Sequence, residues 1–411
     1  MTSDILVLGA GMVGVGTALA LRQRGYQVTL MDRHSECRET SYGNAGIIQR
    51  EALRPYAFPR RVLPLLKVAC GSGNDVNYHW VELLRLAPKL ARYWRNSGAD
   101  RYPRIAEAYG SLIEHCLTEH GRLMNEIEID DLVRKTGWLQ AYRTPALLDL
   151  AASEAKALAV EQGLSCDILD TSALTRLQPA LSHSLAGAIH WRDPWSVTEP
   201  GELVDRYVRL FLRIGGEFQV GTARTLEARS QGWRVHTEVG PIETEHLVIA
   251  LGPWSERLIR PLGYHLPLFS KRGYHQHYLG GGTLSMPVLD LENGVMLAPM
   301  KRGLRISTGA EFASMDSPAT PVQLRYAERA LRGVLDLGIP TNSDPWIGSR
   351  PCTVDMKPII GAAPKHRGLW FNFGHGHQGF TLGPASGRLL AELITGEDPF
   401  VNPAPFLPTR F

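Results

Sequence analysis

Short apolar runs closed by glycine turns alternate along this chain with amphipathic stretches of helical period. Ile5-Leu6-Val7-Leu8 reads as a buried strand, Gly9-Ala10-Gly11-Met12-Val13-Gly14 as a tight turn, and Val15 to Arg24 as a helix. A second strand over Tyr26 to Met31 ends in Asp32-Arg33. Helix-like stretches at Val81 to Tyr93 and Ile105 to Ile127 lie among Pro55, Pro59, Pro64, Pro88 and Pro103, and together read as an inserted helical layer. Another helix is expected from Pro145 to Gln162, with Leu147, Leu150, Ala151 and Leu158 sorting away from Glu154 and Glu161.

Strand patterns follow at Ala188 to Trp191, Glu217 to Val220, Trp233 to Thr237 and Leu247 to Leu251. The last is uniformly apolar, as a parallel strand covered on both faces would be, and it closes on a glycine turn at Gly252. Tyr274 to Leu279, Val295 to Ala298 and Leu304 to Thr308 alternate with turns and predict an antiparallel sheet. A helix over Pro321 to Leu335 precedes a second glycine-rich region from Trp346 to Gly396. The expected fold is α/β (α+β, two-domain): a Rossmann-like dinucleotide domain built from 1–55, 195–260 and 340–411, and an antiparallel-sheet substrate domain with inserted helices from 56–194 and 261–339.

Composition narrows the function classes. The 411 residues are 44% hydrophobic and 21% charged, an ordinary globular balance sufficient for two cores. A net charge of +3 from 44 basic and 41 acidic side chains argues against a nucleic-acid surface. No apolar run approaches the roughly 18 residues of a membrane span, and the first strand begins at once, so a cytoplasmic protein with reduced thiols is expected. Cys37, Cys70, Cys116, Cys166 and Cys352 are scattered without CxxC spacing, which points to neither a disulfide framework nor a zinc site.

Three segments carry candidate chemistry. The turn of Gly9, Gly11 and Gly14 leaves backbone N–H groups at a helix start, where a pyrophosphate is attracted, and Asp32 stands at the position that bonds a ribose hydroxyl. That motif means dinucleotide without saying which one. The small-residue loop Ser41-Tyr42-Gly43-Asn44-Ala45-Gly46 lets backbone lie against something flat, or is an ordinary surface turn. Asn372 to Thr381, which includes Gly374, His375, Gly376, His377, Gln378, Gly379 and Phe380, leads into a helix through Ala385 to Ile394 and offers a second anion-attracting helix start. His375 and His377 lack metal-ligand company and read as backbone-bonding loop residues, so no metal is expected. Arg350 is either a carboxylate clamp or the partner of Asp355 or Glu311. Strand alternation sends Lys271 and Gly273 to one face and Arg272 and Tyr274 to the other, with Tyr274 either closing over a carboxylate or sitting in the core. Trp195 and Trp254 read as packing residues.

With these segments in order, the chain resembles the FAD-dependent D-amino-acid dehydrogenases, within the wider D-amino-acid oxidase and sarcosine oxidase superfamily. The matching elements are Asn44-Ala45-Gly46, Lys271-Arg272-Gly273-Tyr274 with one extra residue, Arg350-Pro351-Cys352-Thr353-Val354-Asp355, and Gly374-His375-Gly376. The resemblance implies FAD, with Gly9, Gly11, Met12, Val13 and Gly14 at the pyrophosphate, Asp32 and Arg33 at the adenosine, and Ser41, Asn44, Ala45 and Gly46 near the ring. It also places Gly252 and the Gly376 to Thr381 loop, with His377, Gln378, Gly379, Phe380 and Thr381, around the cofactor. Arg350 would bind the substrate carboxylate and Tyr274 assist as the second catalytic residue. Gln378 stands where sarcosine-oxidase-like enzymes carry a lysine and Gly348 where they carry a flavin-linking cysteine, so the FAD is expected to be non-covalent.

The implied reaction is oxidative deamination of a free D-amino acid to a 2-oxo acid and ammonia, by hydride transfer from Cα to flavin N5. Two alternatives stand beside it: a secondary amine such as D-proline, D-hydroxyproline or an N-methyl amino acid as substrate, and a flavin-carrying electron-transfer subunit. The electron acceptor is open between a quinone, oxygen and a partner flavoprotein, and a quinone would bring peripheral contact with the inner membrane.

Overall fold

The computed structural model describes residues 2–35, 38–60, 74 and 76–411. Pro64, Cys37 and Cys70 lie outside the described residues. Thr2–Leu8 is a strand whose Ile5, Leu6, Val7 and Leu8 are fully buried, as expected of a run covered on both faces. It lies between two parallel neighbours, Val28–Asp32 and Gly240–Ile249, with Glu217–Val220 beyond the first and Leu369–Phe373 beyond the second. Trp233–Thr237 joins Gly240–Ile249 antiparallel and completes the outer part of this sheet.

The antiparallel sheet is larger and is organised by one long strand, Leu268–Gly280. Gly303–Ser307, Ala310–Phe312, Gly338–Pro340 and Trp346–Thr353 all pair with it antiparallel. The sequence division at 340 therefore does not follow the sheets: Trp346–Thr353 belongs with the substrate-side sheet, whereas Leu369–Phe373 belongs with the dinucleotide-side sheet. A small sheet of Ile47–Ile48, Trp195–Val197 and Val133–Arg134 runs between them.

Two helical expectations are corrected. The stretch 105–127 breaks at Glu114 and His115 into Tyr102–Ile113 and Cys116–Met124, and the bend lets Ile113 and Cys116 both bury completely. The helix Pro145–Gln162 forms as expected, but its buried stripe is Leu148, Ala152, Ala155 and Ala159. Leu147 and Leu150 are 45% and 61% exposed, because the strand Gly187–Trp191 beneath the helix accepts the small alanine face instead.

The helix that follows the first strand, Met12–Arg22, packs against the C-terminal helix Gly379–Thr395 through glycines. A Cβ on Gly16 would stand 2.8 Å from the Gly383 carbonyl oxygen, and one on Gly387 would stand 2.5 Å from the Gly16 carbonyl carbon. Only bare backbones approach this closely. The contact brings the starts of the two helices, and the glycine loops feeding them, to one side of the parallel sheet.

Candidate active site

A cavity of about 1200 Å³ runs from the Gly9 turn to Arg350 and the C-terminal glycine loop. That exceeds the usual range of roughly 300 to 1,000 Å³ for a single small-molecule site. It is lined by Gly9, Gly11, Met12, Val13, Asp32 and Arg33 of the N-terminal turn, by Ser41, Asn44 and Ala45, and by Gly376, His377, Gly379 and Phe380 of the C-terminal loop; a Cβ on Gly379 would stand 3.8 Å from Val13 Cγ2, so the two helix starts are neighbours on the wall.

Gly9 has φ +106°, and a Cβ there would meet the Ala250 carbonyl oxygen at 2.5 Å. Gly11 caps the helix without a side-chain bond, and the first turn carries no acidic residue that would repel an anion. Asp32 accepts the Ala10 N–H at 2.7 Å through one carboxylate oxygen and that of Arg33 at 2.7 Å through the other, so it braces the turn while facing the cavity. The Ser41 hydroxyl oxygen accepts the Met12 N–H at 3.0 Å, tying the small-residue loop to the helix start. Trp254 is more than packing: it lines the cavity beside Gly252, and the Arg33 guanidinium lies 4.3 Å from its ring. Trp195 instead carries Lys135 over its ring at 4.4 Å.

Four expected cofactor contacts do not reach the cavity wall. A Cβ on Gly14 would sit 1.7 Å from the Gly9 carbonyl oxygen, so this glycine serves close packing of turn and helix. Gly46 has φ +73° and abuts the Val197 carbonyl. Thr381, fully buried, donates to the Ile47 carbonyl at 3.3 Å. Gln378 donates its amide to Gln49 at 2.7 Å behind the loop.

That last bond belongs to a chain. Gln49 donates from its amide to Glu51 Oε1 at 2.9 Å, Trp138 Nε1 donates to the same oxygen at 2.9 Å, and Gln378 Nε2 lies 3.2 Å from His377 Nε2. An amide NH2 only donates, so His377 Nε2 accepts and the ring proton sits on Nδ1. Burial, reinforced by Arg350 and Lys271, pushes the His377 pKa down to about 3 and keeps the ring neutral. Burial pushes Glu51 up to about 7. The expectation that both loop histidines bond backbone fails: the His377 ring bonds a side chain, packing 4.6 Å from the Tyr56 ring, and His375 Nε2 is buried without a partner among the described residues.

Arg350 lines the cavity and donates to the Gly309 carbonyl at 2.9 Å and the Thr308 carbonyl at 3.3 Å. Neither acid named as its partner is free: Asp355 takes Arg410 at 2.8 Å, and Glu311 takes Arg272 at 2.6 Å. No ion pair to Arg350 exists among the described residues. Desolvation lowers its pKa, so an anion beside it would relieve the cost of burying the charge.

Tyr274 lines the same cavity, but its hydroxyl is committed elsewhere. Its hydroxyl donates to Glu311 at 2.7 Å and accepts the Thr320 N–H at 2.8 Å. Alternation along Leu268–Gly280 puts Tyr274 and Arg272 on the face opposite Lys271, and Lys271 is the register partner of Arg350.

Arg305 was not singled out by any sequence pattern. Fully buried, it donates through one guanidinium nitrogen to the carbonyls of Tyr42 at 2.9 Å and Asn44 at 2.6 Å, and through Nε to His277 at 3.1 Å. It thereby shapes a loop that lines the cavity. Gln49 and Glu51 were likewise missed, because partners 329 residues apart in sequence leave no local spacing to read.

A cavity with two neighbouring helix starts on its wall and glycines where a Cβ would intrude fits an anionic dinucleotide. The chain is 28% identical to a D-amino acid dehydrogenase of Allorhizobium ampelinum over 437 aligned positions, covering 99% of this chain and 98% of that protein. The fold is shared with glycine oxidase from Geobacillus kaustophilus at a TM-score of 0.71 and 20% identity, covering 100% of this chain and 99% of the other. It is also shared with L-proline dehydrogenase from P. horikoshii at a TM-score of 0.72 and 19% identity, covering 100% and 98%. The family described as DAO, FAD dependent oxidoreductase, matches residues 4–393, and this chain belongs to it.

Proposed function

We propose that this protein oxidises free D-amino acids to 2-oxo acids and ammonia, using non-covalently bound FAD. The observation that carries this reading is Arg350, a cation without a described acidic partner, on the wall of the same cavity as the dinucleotide turn. Its planar head can pair two carboxylate oxygens, and its two backbone carbonyl acceptors hold it in place. The 28% identity to a D-amino acid dehydrogenase supports the hand of the substrate.

In this reading Gly9, Gly11, Met12 and Val13 would hold the pyrophosphate, Asp32 and Arg33 the adenosine, and Ser41, Asn44 and Ala45 the region of the ring. Gly376, Gly379 and Phe380 would contribute the C-terminal loop's part of the wall, and Gly14, Gly46, Gln378 and Thr381 would support the lining from behind. Bound FAD supplies the two-electron acceptor for hydride leaving the substrate Cα. The protein contributes orientation, with Arg350 fixing the carboxylate and so the direction of the Cα–H bond. The Tyr274 hydroxyl, committed to Glu311 and Thr320, takes no part in it.

The test is anaerobic bleaching of the protein's flavin by D- and L-amino acids, proline derivatives and sarcosine. D-amino acids should reduce the flavin and release ammonia. Arg350→Ala should keep its FAD while kcat/KM falls by about tenfold to a hundredfold, from the loss of charged hydrogen bonds. Faster bleaching by L-amino acids or by secondary amines would refute the substrate assignment.

A further inference from the structure

Lys271 is a second cation in the same chamber. It is the direct register partner of Arg350 on neighbouring antiparallel strands, so both side chains leave the same face of the sheet, and both line the cavity. Like charges directly opposite each other are unfavourable unless something neutralises them. Nothing described does. Lys271 has no ion pair among the described residues; its ammonium donates to the Tyr93 hydroxyl at 3.1 Å and lies 4.5 Å from that ring. Burial raises the Tyr93 pKa, so the phenol stays neutral and supplies no counter-charge. The described carboxylates on the cavity wall are Asp32 and Glu39, and both serve the dinucleotide end, Asp32 on the Ala10 N–H and Glu39 on Arg33.

The two cations diverge. The Arg350 guanidinium lies over Gly273, where a Cβ would stand 2.6 Å from Nη2, and is held by the carbonyls of Thr308 and Gly309. The Lys271 ammonium lies among the rings of Tyr93, Phe269 and Phe312, at 4.5, 5.6 and 5.7 Å from their centroids. One carboxylate clamped by Arg350 leaves the ammonium on the aromatic wall uncompensated. A ligand with a second carboxylate, joined to the first through carbon, matches both heads and sets its apolar spacer against the aromatic rings.

We propose that the preferred substrate is a dicarboxylic amino acid, with Arg350 taking the α-carboxylate and Lys271 the side-chain carboxylate. This rests on the reading of the chamber as an amino-acid site and adds the class of side chain. Lys271 is then a specificity-determining residue.

The experiment compares anaerobic flavin reduction in the FAD-loaded enzyme by D-aspartate and D-glutamate with D-asparagine and D-glutamine, which keep the shape and lose the charge. The acids should exceed their amides in kcat/KM by about tenfold or more, the worth of one charged contact. Lys271→Met should collapse that ratio to within about threefold of unity, by the same reasoning. Acids no faster than amides in the unaltered enzyme would overturn the proposal, whether or not the variant folds. So would a variant in which acids and amides lose rate by the same factor, because Lys271 would then act on the α-carboxylate or on the fold. Reduction by neutral D-amino acids without any preference for acids leaves the amino-acid reading standing and removes the second carboxylate; no reduction by any amino acid removes both.

Discussion

Glu51 should make this protein lose stability as the pH rises through neutrality. The residue is 7% exposed, with Oε1 accepting from Gln49 and Trp138 and Oε2 without a partner among the described residues. Desolvation is the dominant influence and raises the pKa from 4.5 to about 7, against the opposing hydrogen bonds. Between those values the folded chain keeps a proton that the unfolded chain has released, so the stability this group confers is complete below 4.5 and is lost as pH climbs through about 7. At about 1.4 kcal/mol per pH unit the whole effect is about 3 kcal/mol, of which about 2 kcal/mol falls between about pH 5.5 and 8.5. Glu51→Gln keeps an oxygen to accept from Gln49 and Trp138 but has no charge to bury. Any fixed cost of its amide is the same at both pH values and cancels. Equilibrium urea unfolding of both proteins, at one saturating FAD concentration and at both pH values, measures the difference. The unaltered protein should lose about 2 kcal/mol more than the variant on going from the lower to the higher pH. Parallel pH profiles for the two proteins would refute the reasoning, because they would mean that Glu51 titrates at the same pH folded and unfolded.

Two further outcomes follow from contacts at the site. Gly14→Ala should yield protein that retains little FAD, since its Cβ would intrude to 1.7 Å from the Gly9 carbonyl oxygen and push apart turn and helix; the ratio of flavin to protein absorbance reads this directly. Glu311→Ala should cost about 3 to 5 kcal/mol in denaturant unfolding by stranding the buried Arg272 guanidinium, whereas removing the exposed pair of Arg234 with Glu243 should leave the unfolding midpoint nearly unchanged.

The strand, glycine turn, helix and second strand at the N-terminus could be read from sequence because each depends on neighbours a few residues away. Apolar runs of strand length, a glycine forced to φ +106° and an acid at the next strand end are local demands. The strand Gly240–Ile249 was legible for the same reason: its apolar C-terminal half belongs in the centre of a parallel sheet. The exposed Leu147 and Leu150 show the limit, because periodicity finds a helix, but the surface beneath it decides which face is buried.

The site itself was decided by tertiary structure. Strand alternation already separated Lys271 from Tyr274, but the register that sets Arg350 opposite Lys271 comes from pairing between segments some 80 residues apart. Glu51, Gln49, Gln378 and His377 became one chain, and Arg305 became the support of the 42–44 loop, only through contacts between distant segments. By itself the sequence determined that a dinucleotide turn opens the chain and that a second glycine loop lies near its end. That the two serve one cavity follows from Gly16, Gly383 and Gly387, whose missing side chains let two helices from opposite ends of the chain touch backbone to backbone.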